Sequence, residues 1–305
     1  MTLRLRDRSL DLAPGAPALM GIVNATPDSF SDAQGLKPLD ELVERAVALA
    51  DSGAAVIDVG GESGRTDRPA IAETEEIARV VPLIERLAGE GIAVSVDTWR
   101  SSVAKAALDA GAVLINDVSG LGDPRIADAC AETGAGLVIT HTRVAPKTKS
   151  FPTYGDVVAD VAELLEKRVA LARERGVGSD RLLLDPGIDL AKTPTESVEL
   201  LRRLAELESL GHPLLLAISR KDFIGAVTGK PPRERDPGTL AAIEPALDAG
   251  VGTILRVHDV QAAADFIAVR AALLGRSMVA LGALDDSLRR EPTSPASHAD
   301  AMPTG

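Results

Sequence analysis

Short apolar runs rich in β-branched residues alternate with longer stretches of helical periodicity along most of the chain. The runs cover residues 18–25, 56–61, 94–98, 114–119, 137–141, 182–186, 214–219 and 253–258. Between them, apolar residues recur at i, i+3 and i+4 over 39–51, 73–88, 157–175 and 196–210, the spacing of a helix with one buried face. Four helical stretches end at a glycine just before the next strand: Gly53, Gly111, Gly134 and Gly250. Each reads as a left-handed helix cap. The repeated helix, glycine, strand cadence predicts eight strands, the number that closes a parallel barrel. A doubly wound open sheet would carry Gly-x-Gly-x-x-Gly after its first strand, and none follows residue 25. The expected fold is therefore α/β, a single-domain (β/α)8 TIM barrel over residues 18–284. The segment 1–17 before it is expected to form a hairpin over 3–12 that closes the bottom of the barrel. Past residue 284, Pro292, Pro295 and Pro303 stand among Ser, Thr, Asp and Arg, which predicts a disordered tail over 285–305 with His298 idle.

Composition narrows the chemistry. The 305 residues are 45% hydrophobic but hold only four Phe, one Trp and one Tyr, so the core must be built from Ala, Val, Leu and Ile. A formal net charge of −12 argues against nucleic acid or an anionic membrane as partner. An anionic small molecule would require the few positive groups to gather in one place. Cys130 is the one cysteine, which excludes an intrachain disulfide. The polar start of the chain does not read as a signal peptide and no apolar run of about 20 residues is present. A cytoplasmic location is expected.

Polar residues fall at the strand ends, where a barrel of this kind carries its site. Asn24 ends the first run, Asp58 lies in the second and Asp97 ends the third. Asn116 and Asp117 end the fourth, His141 the fifth and Asp185 the sixth. Ser219, Arg220 and Lys221 follow the seventh, and Arg256 and His258 end the eighth. A lone Asp or Asn at such a place is more often a helix cap, and Asp117 and Asp259 are read that way. His212, beside Pro213, reads as a loop residue, and Arg220 as a partner for surface carboxylates. Independent caps would not mix Asn, Asp, Lys, Arg and His on one rim. Arg256 and His258 are two apart, on one side of their strand, and suit a phosphate. Asn24 could bind a phosphate or a metal. Asp97 and Asp185 are expected opposite them, accepting N–H groups from a heterocycle, with Lys221 donating to a ring carbonyl or nitrogen. A ligand with an amide-rich ring at one end and a diphosphate at the other fits.

Seven motifs then carry a resemblance. They are Gly21-Ile22-Val23-Asn24-Ala25-Thr26-Pro27-Asp28-Ser29-Phe30-Ser31-Asp32, Asp58-Val59-Gly60-Gly61-Glu62-Ser63, Val96-Asp97-Thr98, Ile115-Asn116-Asp117-Val118-Ser119-Gly120, Asp185-Pro186-Gly187-Ile188, Ser219-Arg220-Lys221 and Arg256-Val257-His258-Asp259-Val260. In this order and spacing they resemble the dihydropteroate synthase family. The resemblance implies a homodimeric (β/α)8 transferase of folate biosynthesis. It would join 6-hydroxymethyl-7,8-dihydropterin diphosphate to p-aminobenzoate and release diphosphate. Asp97, Asn116, Asp185 and Lys221 would hold the pterin. Asn24, Arg256 and His258 would hold the diphosphate, with Mg2+ at Asn24 and Asp32, and Asp97, Lys221, Arg256 and Asn24 would carry catalysis. The loops over 26–35 and 62–69 would close over the site.

The chain departs from the family around the second substrate. The second loop reads Ser63-Gly64-Arg65-Thr66-Asp67-Arg68-Pro69, altered and longer than the family's Ser-Thr-Arg-Pro-Gly. The usual Gly-Phe after the sixth strand is Asp189-Leu190, and the usual Ser after Ser-Arg-Lys is Asp222. The family's Met-His on the fifth strand is Thr140-His141, followed by a basic loop with Arg143, Lys147 and Lys149. The p-aminobenzoate site is expected to involve Phe30, Arg65, Arg68, Pro69, Leu190 and Asp222, with Asp222 opposing a carboxylate and sulfonamides inhibiting weakly. Three readings follow: a synthase with a remodelled second site, a pterin-binding paralogue with another nucleophile or little synthase activity, and a pterin-dependent methyltransferase-type barrel. Arg256 and His258 argue against the last.

Overall fold

The computed structural model describes residues 1–26, 38–279 and 288–290. The expected roles of Phe30 and Asp32, most of the first loop, His298 and nearly all of the expected tail fall outside the described residues. The chain divides into two units. Met1–Phe266 contains the barrel. Ile267–Gly305 contains the last turns of a helix ending at Leu273 and a turn that follows it.

Ten strands are described. β1 (Thr2–Leu5) and β2 (Arg8–Asp11) pair antiparallel, with Thr2 opposite Asp11 and Leu5 opposite Arg8. The other eight are β3 (Ala18–Asn24), β4 (Ala54–Gly60), β5 (Val94–Asp97), β6 (Leu114–Asp117), β7 (Gly136–Thr140), β8 (Leu182–Asp185), β9 (Leu214–Leu216) and β10 (Thr253–Val257). They are parallel and close in sequence order, with β10 pairing β3. Nine α-helices lie among the described residues: α1 (Leu39–Asp51), α2 (Glu73–Gly89), α3 (Ser101–Asp109), α4 (Arg125–Thr133), α5 (Val157–Glu174), α6 (Pro194–Arg202), α7 (Asp222–Thr228), α8 (Asp236–Leu247) and α9 (Val260–Leu273).

Strands buried on both faces read as continuous apolar runs, which is why their existence was legible while their ends slipped by a residue or more. The largest slip is at β9, expected to reach residue 219. The ladder stops at Leu216, and three residues on, Ser219 bonds to His258 and Arg220 turns left-handed at φ 59°. The helix expected over 196–210 is also divided. It starts earlier, at Pro194, because Thr193 and Glu196 form a reciprocal capping box. At Arg203 the backbone leaves the α region, and Leu204–Leu210 continues as a 3-10 helix. Gly53, Gly111 and Gly134 adopt positive φ as expected of caps; Gly250 does not. At Gly250 the Glu208 carboxylate approaches instead and accepts its N–H at 2.6 Å.

The amino-terminal hairpin supplies Leu3 and Leu5, and the chain just past it supplies Leu12; all three are buried. They pack with Met20, Val56, Ala93, Leu114, Val138, Leu183, Leu215 and Ile254, residues at or beside the early positions of all eight barrel strands. An apolar plug thus fills the amino end of the barrel and leaves the carboxyl ends of the strands to polar groups. Leu5→Ala is expected to cost about 2–5 kcal/mol, as for a fully buried leucine, read as a lower urea midpoint with an unchanged slope.

Candidate active site

Parallel pairing sets the level of each polar side chain. Asn24 is in register with Gly60, Gly60 with Asp97, and Asp97 with Asn116, while Thr140 pairs with Asp185. Residues two apart share a face, so Asp58 lies one layer below Gly60 and Ser95 one layer below Asp97. Gly60 keeps the space between neighbours open: an added Cβ would lie 3.3 Å from Asn24 Oδ1 and 3.9 Å from Asp97 Cβ.

Four of these groups form one network. Arg256 on β10 donates from Nε to Asp58 Oδ2 at 2.5 Å and from its second terminal nitrogen to Asp97 Oδ2 at 3.0 Å. Asn116 Nδ2 donates to the same Asp58 oxygen at 3.1 Å. Asp97 was expected opposite Arg256; the two are in contact. Asp58, whose strand alone was noted in the sequence, is the buried anchor of the group. Burial pushes the Asp97 carboxyl up to about 7, with Asp58 and Glu76 adding to the rise and Arg256 and Lys221 opposing it. Burial also raises Asp185, against the Gly187 N–H, which it accepts at 2.7 Å, and the charges of Lys221, Lys192 and Arg256. Lys221, immediately ahead of α7, therefore acts on both Asp97 and Asp185. Two acceptors in this network, Asp58 Oδ1 and Asn116 Oδ1, are buried without a hydrogen-bond partner.

His258 lies just beyond β10. Ser219 Oγ accepts the His258 backbone N–H at 3.3 Å and lies 2.8 Å from Nδ1. With its hydroxyl proton turned to Nδ1, Ser219 selects the tautomer that carries the ring proton on Nε2 and leaves that N–H as a donor. Burial, with Arg220, Arg256 and Arg45 around it, lowers the ring to about 3 against the opposing charge of Asp236. The positive groups of this acidic chain do gather. Arg45, on α1, was missed because nothing in a helix surface pattern marks it. Arg220 pairs with Asp236 at 2.7 and 2.8 Å, the carboxylate partner its sequence position suggested. Asp117 accepts from the Ser119 and Leu121 N–H groups and shapes its own loop.

The residues expected around the second substrate separate. Arg65, Arg68 and Pro69 are exposed, and Arg65 pairs with Asp67 at 2.5 Å. Lys147, from the basic loop after β7, donates to the Ser63 and Arg65 carbonyls at 2.7 and 2.9 Å and fastens the second loop. Glu62 is held by Arg100 at 2.6 Å. Leu190 and Asp222 flank a different feature. Asp189 Oδ2 accepts the backbone N–H of Asp222 and, at 3.2 Å, that of Phe223. The Asp222 carboxylate points away, 85% exposed, to Arg235 at 2.9 Å.

A closed parallel barrel, plugged at one end and lined at the other by paired carboxylates and cations with unspent acceptors, is the architecture of a barrel enzyme with its site at the strand carboxyl ends. Residues 20–258 match the model of the pterin-binding enzymes. The chain is 41% identical to the dihydropteroate synthase of Synechocystis, over 84% of this chain and 89% of that protein. The structure of Xanthomonas albilineans dihydropteroate synthase with 4-aminobenzoic acid superposes with a TM-score of 0.82 at 40% identity, covering 90% of this chain and 98% of that one. The Yersinia pestis dihydropteroate synthase, in complex with a sulfonamide drug, matches with a TM-score of 0.82 at 35% identity, over 91% and 100%. The chain belongs to the pterin-binding enzyme family, and within it to the dihydropteroate synthases, transferases of folate biosynthesis.

Proposed function

We propose that the network at the strand ends binds the pterin ring of 6-hydroxymethyl-7,8-dihydropterin diphosphate and that the cluster around His258 receives its diphosphate. The unpartnered acceptors on Asp58 and Asn116 carry this reading. A buried acceptor left without a donor is costly, and the amino and ring N–H groups of a pterin are donors of the right kind. Asp97, Asn116 and Asp185 accept from the ring, and Lys221 donates to it. Arg256 joins the two halves: its guanidinium holds Asp97 on the pterin side and stands beside His258 on the diphosphate side.

The reaction then breaks the bond between the pterin methylene carbon and the diphosphate oxygen. The electron pair leaves with diphosphate, and His258 Nε2–H, Arg45, Arg220 and Asn24 are preorganised donors for the charge that develops. The amine nitrogen of p-aminobenzoate, supported as second substrate by the 4-aminobenzoic acid of the Xanthomonas relative, attacks the cationic carbon and loses a proton. Covering loops would keep water from that carbon.

Mg2+ is part of the proposal as companion of the diphosphate, where it would neutralise charge on the leaving group. The described donors do not make a metal site by themselves. No group of three or more His, Cys, Asp or Glu that could hold an ion occurs among the described residues, and Asn24 alone represents the expected pair. The steps above run on the chain's own side chains. A homodimer and a cytoplasmic location complete the reading; among the described residues, no helix is long and apolar enough to cross a membrane.

The test is diphosphate release from the pterin diphosphate with Mg2+, with and without p-aminobenzoate, identifying the pterin product. Release that depends on p-aminobenzoate and yields 7,8-dihydropteroate is expected. Pterin binding with no such release would overturn the synthase reading in favour of a paralogue with another nucleophile.

A further inference from the structure

Lys192 is 1% exposed, and the reaction described above makes no use of it. It ends the loop between β8 and α6. In that loop every second residue is left-handed: Gly187, Asp189 and Ala191 have φ of 70°, 62° and 53°. Side-chain-bearing residues rarely adopt this conformation. Here the alternation turns two carbonyls onto one point. Lys192 Nζ donates to Gly187 O at 2.9 Å and to Leu190 O at 3.2 Å, and lies 2.8 Å from His141 Nδ1. Three ammonium protons meet these acceptors, with His141 O a fourth and longer contact at 3.5 Å. With Nδ1 accepting, the His141 proton sits on Nε2, which donates to Asp160 Oδ1 at 2.8 Å. Arg143 grips Asp160 from outside at 2.9 and 2.7 Å.

The loop so held has two outputs. Gly187 N–H fixes the Asp185 carboxylate. Asp189 fixes the first two amides of α7, directly after Lys221. One buried ammonium therefore sets two side chains on different elements, Asp185 at the end of β8 and Lys221 ahead of α7. We propose that Lys192, oriented by His141 and Asp160, is the positioning residue of the pterin site, aiming Asp185 and Lys221 through the loop it ties. This rests on the assignment of Asp185 and Lys221 to the pterin ring.

The groups facing Lys192 are His141 after β7, Asp160 on α5, Asp185 on β8, Glu196 on α6 and Lys221 ahead of α7. Burial draws Lys192 down to about 7; Asp185, Asp160 and Glu196 oppose that, and Lys221 adds to it. Burial, then Lys192, lowers His141 to about 4, so the imidazole is the neutral acceptor the geometry needs. As pH rises above about 7 the ammonium loses a proton that one of its acceptors needs, and the loop loosens.

The experiment measures binding of 6-hydroxymethyl-7,8-dihydropterin by fluorescence, and of inorganic diphosphate by calorimetry, to the full chain between pH 6 and 9. Lys192→Met is expected to weaken pterin binding at pH 6.5 at least tenfold, to leave diphosphate affinity within twofold, and to remove the alkaline fall in pterin affinity. Asp160→Asn, at a partly buried position, keeps the test open should Lys192→Met fail to fold; removing that anion should move the alkaline fall to lower pH. Equal loss of pterin and diphosphate binding, or an alkaline limb unmoved in Asp160→Asn, would overturn the proposal. Asp185→Asn and Lys221→Ala serve as controls. If they leave pterin binding intact, the assignment of the pterin site has failed; if they abolish it while Lys192→Met does not, the positioning role has failed.

Discussion

Arg256→Ala is expected to lower stability by about 3–5 kcal/mol near pH 8, the cost of leaving a buried charge without its partner, and to abolish pterin binding. The guanidinium is the direct counter-charge of Asp58, which is fully buried, and of Asp97. Burial works against its charge, but the two carboxylates hold its pKa above the ordinary arginine value. Without it, Asp58 and Asp97 face each other in a buried site with only the Asn116 amide and the more distant Lys221 to offset them, and one must take a proton. The loss should therefore shrink at pH 5, where a proton is cheap to acquire. Urea unfolding at the two pH values checks this, and equal losses at both would sink it. Arg256→Lys should recover only part, because an ammonium is a point donor and cannot span both carboxylates as the fork does.

The unligated wild type carries the matching pH signature. Asp97 is raised from 3.8 to about 7 by burial. In this window the folded state holds a proton that the unfolded chain has given up. Its contribution to stability is present below about pH 4 and is lost as pH rises through about 7. Pterin affinity is expected to be bell-shaped: it rises as Asp97 ionises and can accept the ring N–H groups, and falls again as Lys192 loses its proton.

Much of this was legible in the sequence for a simple physical reason. Strand ends in an apolar barrel are expensive places for Asp97, Asn116, Asp185 or Arg256, so their presence there marks a site. What stayed hidden depends on backbone angles and distant partners. Nothing local says that residue 189 is left-handed, or that its carboxylate meets an amide 33 residues later. Lys192 reads as an ordinary helix-flanking lysine until the carbonyls of Gly187 and Leu190 are seen converging on it. Asp58 sits in a run whose length and hydrophobicity fix its strand but not its inward pairing with a residue 198 positions away. Arg256 and His258 read alike in the sequence, as neighbours on one rim, and nothing local shows that the guanidinium turns down to the carboxylates while the imidazole stays among the arginines.

The second substrate is where these hidden contacts matter most. By sequence the obstacle to a carboxylate is Asp222, and Asp222→Ser should improve use of p-aminobenzoate. The structure moves the obstacle. Asp222 is exposed and already paired with Arg235, so its charge is partly neutralised and screened. The leading amides of α7 are filled by Asp189, an acceptor delivered by the chain itself, and are closed to any substrate carboxylate. Asp189→Gly is expected to lower the KM for p-aminobenzoate about tenfold, the factor that 1.4 kcal/mol supplies, while Asp222→Ser alone changes it less than twofold. Glycine takes a φ of 62° without a Cβ penalty, but the exchange also removes the carboxylate that caps α7 behind Lys221. Pterin affinity is therefore expected to fall, and the KM for p-aminobenzoate is read at saturating pterin diphosphate. The same variant is expected to be more sensitive to sulfonamides than the wild type. Steady-state kinetics on Asp189→Gly, Asp222→Ser and the double variant separate the two views. If Asp222→Ser alone recovers as much as the double variant, the like charge at 222 decides the specificity and the carboxylate of Asp189 is only a helix cap.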